Sequence, residues 1–139
     1  IGDGFLAIFP IKDDLDRDRA CNTALKAAME SLDALKELNV GRRAAGKPPL
    51  EVGIALHVGS VMYGNVGAAE RLDFTVIGPA VNEVSRIAGM SRSLDQDILL
   101  SSAFAGAAGT AREQLVSVGR YALRGIARPQ ELFTLDRSA

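Results

Sequence analysis

With 139 residues, the chain is one domain's worth of sequence and long enough to bury a core. Sixteen Lys and Arg against seventeen Asp and Glu leave a formal charge of −1, without the basic excess expected of a nucleic-acid-binding module. No apolar run is long enough to cross a bilayer and no secretory signal pattern is present. The single Cys21 rules out an internal disulfide and fits a reducing, cytoplasmic setting.

The chain opens on Ile1-Gly2-Asp3-Gly4-Phe5 without Met, as if in the middle of a structural element, so a fragment of a larger domain is expected. Asp-Gly between apolar runs is a hairpin signal, which predicts a turn at Gly2–Gly4 followed by a buried strand from Phe5 to Phe9. Asp3 at the hairpin tip is either a turn former or a carboxylate exposed enough to hold a metal ion. Pro10 ends that strand. Asp13, Asp14, Asp16 and Asp18 then crowd a helix start, where the dipole favours negative charge. Cys21, Leu25, Ala28, Met29, Leu32, Leu35 and Leu38 recur at helical period and predict one amphipathic helix to about Asn39, with this stripe as core. Gly41 to Leu50, closed by Pro48-Pro49, is expected to be a solvated basic loop.

Glu51 to Val61 reads as a strand, continued by Val61-Met62-Tyr63, with a turn at Gly64–Gly67. Its glycines lack the spacing and context of a phosphate-binding loop. His57, the single histidine, has no Cys or second His near it in sequence and is a poor metal-site or catalytic candidate. From Leu72 to Arg86 the chain predicts a strand, a tight turn at Gly78, and a helix beginning at Pro79, where the missing N–H costs nothing. Val81, Val84 and Ile87 would face the core. Asn82 and Arg86, four apart, would share another face, and an amide with a guanidinium beside Thr75 can converge on a polar ligand such as a phosphate. A solvated surface is the bland alternative for that pair.

Beyond it, a short strand is expected at Asp97–Leu100 and a small helix at Ser101–Ala108 capped by Ser101 or Ser102. Strands follow at Leu115–Val118, Tyr121–Leu123 and Glu131–Leu135, with a loop at Gly125–Pro129. The element order suggests an α+β sandwich, a mostly antiparallel sheet covered by helices.

Three segments together resemble the catalytic domain of class III nucleotidyl cyclases, the adenylate and guanylate cyclases. They are Ile1-Gly2-Asp3-Gly4, then Leu56-His57-Val58-Gly59 with Val61 to Gly67, then Asp73 to Gly78 through Val81-Asn82 to Ser85-Arg86; Leu123 to Phe133 resembles the family's C-terminal strands. The resemblance, over residues 1–139, implies a ferredoxin-like fold and conversion of ATP to cyclic AMP and pyrophosphate, assisted by two divalent metal ions, Mg2+ or Mn2+. It implies that Asp3 ligates metal, that Asn82 orients the ribose, and that Arg86 binds charge developing on the phosphates. Thr75 would read the purine's exocyclic group, with Val76, Ile77 and Val81 lining the purine pocket and Arg128 near the triphosphate tail. A Thr hydroxyl can accept from adenine or donate to guanine, so guanylate cyclase remains an alternative.

Relative to the family pattern, the first metal Asp, the purine-selecting Lys, the phosphate-binding loop and the first two helices would lie before Ile1. The isolated chain is therefore expected to be inactive. The resemblance further implies a homodimer with sites across a two-fold axis, a regulatory sensor domain in the parent chain, and a cytoplasmic catalytic domain whose parent is free to carry a membrane anchor. The rivals are a non-catalytic cyclase-like regulatory or dimerisation module and an unrelated phosphohydrolase, which would need further ligands near Asp3.

Overall fold

The computed structural model describes residues 4–66 and 73–136, with backbone alone described at 63–66, 73–76 and 110. Its first element is helix α1, Asp14–Ala44. Asp13 caps it, its carboxylate accepting from the Asp16 N–H at 2.9 Å, while Asp14 and Asp16 in the first turn and Arg42 and Arg43 in the last complement the dipole. Ala20, Cys21, Ala24, Leu25, Ala28 and Leu32 form its buried stripe. Two residues assigned to that stripe from sequence, Met29 and Leu38, are instead 41% and 53% exposed.

The helix also runs past Asn39, because nothing breaks it before Gly46, whose φ of 74° ends the turn that follows. Asn39 has a different task. Its amide donates to the Leu50 carbonyl at 2.9 Å and accepts from the Leu50 N–H at 2.8 Å, folding the return segment back along the helix. Arg42 helps by donating to the Pro48 carbonyl at 2.8 Å. The loop expected from Gly41 therefore starts four residues later.

Strands β1 (Ile54–Leu56), β4 (Ile98–Ser101), β5 (Leu115–Tyr121) and β6 (Gln130–Leu135) form a sheet in the order β1-β4-β6-β5. The β1/β4 pair is parallel and the other pairs antiparallel. Strands β2 (Met62–Val66) and β3 (Asp73–Ile77) form a separate antiparallel ladder. Helix α2 (Pro79–Ala88) follows β3, helix α3 (Ser102–Ala107) follows β4, and a 3-10 helix, Gly109–Gln114, leads into β5. The architecture is α+β with a mostly antiparallel sheet, as expected.

Pairing explains where strand boundaries differ from the sequence reading. Residues 4–12 form no strand, pairing with no described strand, and Phe5 is 91% exposed; Ile1–Asp3 lie outside the described residues. The strand expected over Glu51–Val61 is only as long as its match to Ile98–Leu100. Gly64 to Val66, expected as a turn, pair with Asp73 to Thr75, while Gly67 is not described. The two short strands expected at Leu115 and Tyr121 are one, with a bulge between Ser117 and Gly119 absorbing the register shift.

Side chains alternate across β4 into two cores. Ile98 and Leu100 join the α1 stripe, Phe104 and Leu135, whereas Leu99 joins Ile87, Leu123 and Leu132. Helices α1 and α3 thus cover one face of the sheet and α2 packs on the other.

Candidate active site

Helix α2 is the element on which the expected site depends, and three local features fix it. Gly78 takes φ 143°, a value rarely open to L side chains, to turn β3 into the helix, and Pro79 fills the first helical position. Ile87 is 1% exposed and anchors the helix against Leu99 and Leu132. Val81 and Val84, expected to join it in the core, are half-buried. Another face carries Asn82 and Arg86, both exposed one turn apart, so an amide and a guanidinium stand side by side toward solvent.

The other expected site residues are spread over neighbouring elements. Thr75 and Val76 lie on β3, opposite Gly64 and Tyr63 in the ladder, immediately before the turn into α2. Ile77 is 55% exposed beside its ladder partner Met62, itself 68% exposed, so these two side chains form an open apolar pair at the end of the β2–β3 ladder. Arg128 is exposed in the β5–β6 connection, whose Leu123 and Ile126 pack in the same core as Ile87. Asp3 lies outside the described residues. Among those described, no group of three or more His, Cys, Asp or Glu is placed to hold a metal ion, so the described donors do not by themselves make a metal centre. A polar cleft of about 440 Å3 between α1, Leu50–Gly53 and Asp95–Asp97 contains none of the expected site residues.

Sequence reasoning passed over one residue. His57 sits just past β1 with its side chain 9% exposed, Nδ1 2.7 Å from Ser101 Oγ and Nε2 2.9 Å from Glu83 Oε2. Burial pushes its imidazole below the ordinary value, partly offset by the Glu83 carboxylate. Ser, His and Glu in a row suggest a nucleophilic triad, but Ser101 is 2% exposed and its Oγ already accepts the Phe104 N–H at 3.0 Å as the cap of α3. The row is internal scaffolding. Its only sequence signal was a polar side chain beside an apolar strand, because its partners lie 26 and 44 residues away. Cys21 is buried in the α1 core, where burial and neighbouring Asp18 raise its thiol pKa despite Arg17, as suits a packing residue.

Comparison with known proteins gives this arrangement its context. A family profile described as the adenylate and guanylate cyclase catalytic domain matches residues 1–137. The chain belongs to that family. Among relatives of this cyclase domain, "Adenylate cyclase 1" of Rhizobium meliloti is 36% identical over 104 residues, covering 73% of the chain and 15% of that protein. The "Adenylate cyclase" of Anabaena cylindrica is 37% identical over 103 residues, covering 73% of the chain and 20% of that protein. The cyclase domain thus spans a small part of these relatives. The adenylyl cyclase CyaB from P. aeruginosa superposes with a TM-score of 0.70 at 26% identity, over 86% of this chain and 60% of that one. The guanylyl cyclase Cya2 superposes with a TM-score of 0.68, also at 26% identity, over 85% and 58%. No helix among the described residues is long and apolar enough to cross a membrane.

Proposed function

We propose that this cyclase domain acts on ATP, forming 3′,5′-cyclic AMP and pyrophosphate in a homodimer whose sites draw on both copies. The observation that carries the reading is the exposed Asn82/Arg86 face of α2, directly after the strand bearing Thr75. Asn82 orients the ribose so that its 3′-oxygen lies in line with the α-phosphorus. The 3′-oxygen gives its proton to solvent water and bonds to that phosphorus as the bond to the bridging oxygen breaks and pyrophosphate leaves. Arg86, with its planar fork of donors, meets the charge that grows on the phosphate oxygens. Thr75 accepts from the adenine amino group; Val76, Ile77 and Val81 flank the base; Arg128 lies toward the triphosphate tail. Two divalent cations, Mg2+ or Mn2+, would neutralise the phosphates, with Asp3 as this chain's ligand.

Adenylate cyclases at 36% and 37% identity support ATP, whereas the similar overlap with a guanylyl cyclase keeps GTP as the second reading. The test is a cyclase assay of the full-length natural protein with ATP and with GTP, each with Mg2+ or Mn2+. Cyclic AMP is the expected product. Cyclic GMP alone would reassign the base, and no product from either would favour a non-catalytic cyclase-like module. Arg86→Ala should lower kcat by about 10²–10³ while changing ATP binding much less.

A further inference from the structure

The row Ser101–His57–Glu83 joins three elements: the end of β4, the residue after β1, and the inward side of α2. Hydrogen-bond accounting gives it a direction. Ser101 Oγ accepts the Phe104 N–H, leaving its own proton to donate to Nδ1 of His57. The Glu83 carboxylate can only accept, so Nε2 carries the imidazole proton and donates it there, and Nδ1 of the neutral ring accepts from Ser101. One neutral tautomer satisfies the whole row. Among the described residues, Glu83 from α2 is the charged group facing this imidazole and Ser101 from β4 the neutral one.

Backbone packing brings the same parts together. A Cβ on Gly59 would stand 2.6 Å from the Cβ of Ala80 in the first turn of α2 and 3.3 Å from His57 Nε2. A Cβ on Gly78 would stand 3.2 Å from the Ser60 carbonyl. The segment after β1 is thus pressed directly against the start of α2. Glu83 follows Asn82 in the chain and lies three residues before Arg86. A contact that fixes its rotation about the helix axis fixes theirs too.

We propose that His57, held by Ser101 and acting through Glu83, is a positioning residue that sets the rotation of α2 and hence the aim of Asn82 and Arg86. This rests on the cyclase reading of those two residues. The apolar contact of Ile87 tolerates some rolling of the helix; the directional Nε2–H···Oε2 bond does not. Misplacing the pair by about 1 Å would cost transition-state contacts first, up to about 10² in rate, while leaving ground-state binding through the base and phosphates largely intact.

The test uses the full-length natural protein with ATP, GTP and Mn2+. Glu83→Ala should lower kcat between about 10- and 100-fold with KM within about twofold. Glu83→Gln, whose amide oxygen still accepts from Nε2–H, should recover most of the loss. His57→Ala should match Glu83→Ala, and the double variant should be no worse than the more impaired single one, since both remove one contact. Wild-type kcat in Glu83→Ala, equal impairment of the Ala and Gln variants, or additive losses in the double variant would overturn the proposal. So would a lowered melting temperature with unchanged kcat per folded molecule. Glu83 is 30% exposed, so its variants decide the matter even if His57→Ala fails to fold. The site reading is checked separately: if Asn82→Ala and Arg86→Ala both retain wild-type kcat, that reading fails first and takes this one with it.

Discussion

The imidazole of His57 makes two commitments that a titration can read. Its pKa lies below the ordinary 6.5 because burial outweighs the pull of Glu83, so it resists protonation until the solution is more acidic. Between the lowered folded value and 6.5, the unfolded chain binds the proton and the folded chain does not. Stability from this group is therefore full above 6.5 and falls as pH drops through that window, with no further loss below the folded value. Melting temperatures across that range, alongside an NMR titration of the single histidine, should show the slope, and His57→Gln should flatten it. Ser101→Ala should cost about 2 kcal/mol or more in chemical denaturation, since it removes both the cap of α3 and the partner of a buried nitrogen.

At the scale of elements, the starts of helices were legible, whereas the far end of α1 and the limits of the strands were not. Asp13, Ser101 and the Gly78-Pro79 step announce helix starts through groups within a few residues of themselves, and each does so in the structure. Strand limits depend on a partner far along the chain. Ile54–Leu56 is short because Ile98–Leu100 is its match, and Phe5–Phe9, apolar enough to suggest a buried strand, pairs with no described strand. The candidate site divides the same way: Asn82 and Arg86 were visible as a pair on one helix, whereas the hold of His57 on that helix arises only when β1, β4 and α2 meet. Their closest approach makes a prediction. Gly59→Ala would press a methyl group into Ala80, neither side having a flexible end to yield, and should destabilise the fold by about 1–3 kcal/mol while shifting α2 outward. Chemical denaturation gives the first quantity, and loss of cyclase activity at temperatures where the protein remains folded would report the second.

Across the whole molecule, the exposed Asn82/Arg86 face is the surface that the proposed second copy would complete. If the sites are composite, two inactive variants should rescue each other. Mixed and allowed to exchange, Asp3→Ala and Arg86→Ala chains would form half their dimers as hybrids, each with one intact site, returning about a quarter of wild-type activity. Activity no higher than that of either variant alone would mean that each copy works by itself.

Strand β4 is walled in on both sides, its four residues each no more than 2% exposed, with neighbours bonded along both edges. Its inner leucines belong alternately to the two cores, so neither layer can loosen without stripping the partition from the other. Deuterium should therefore enter the amides of Ile98 to Leu100 last of all described positions, and at a rate set by global opening.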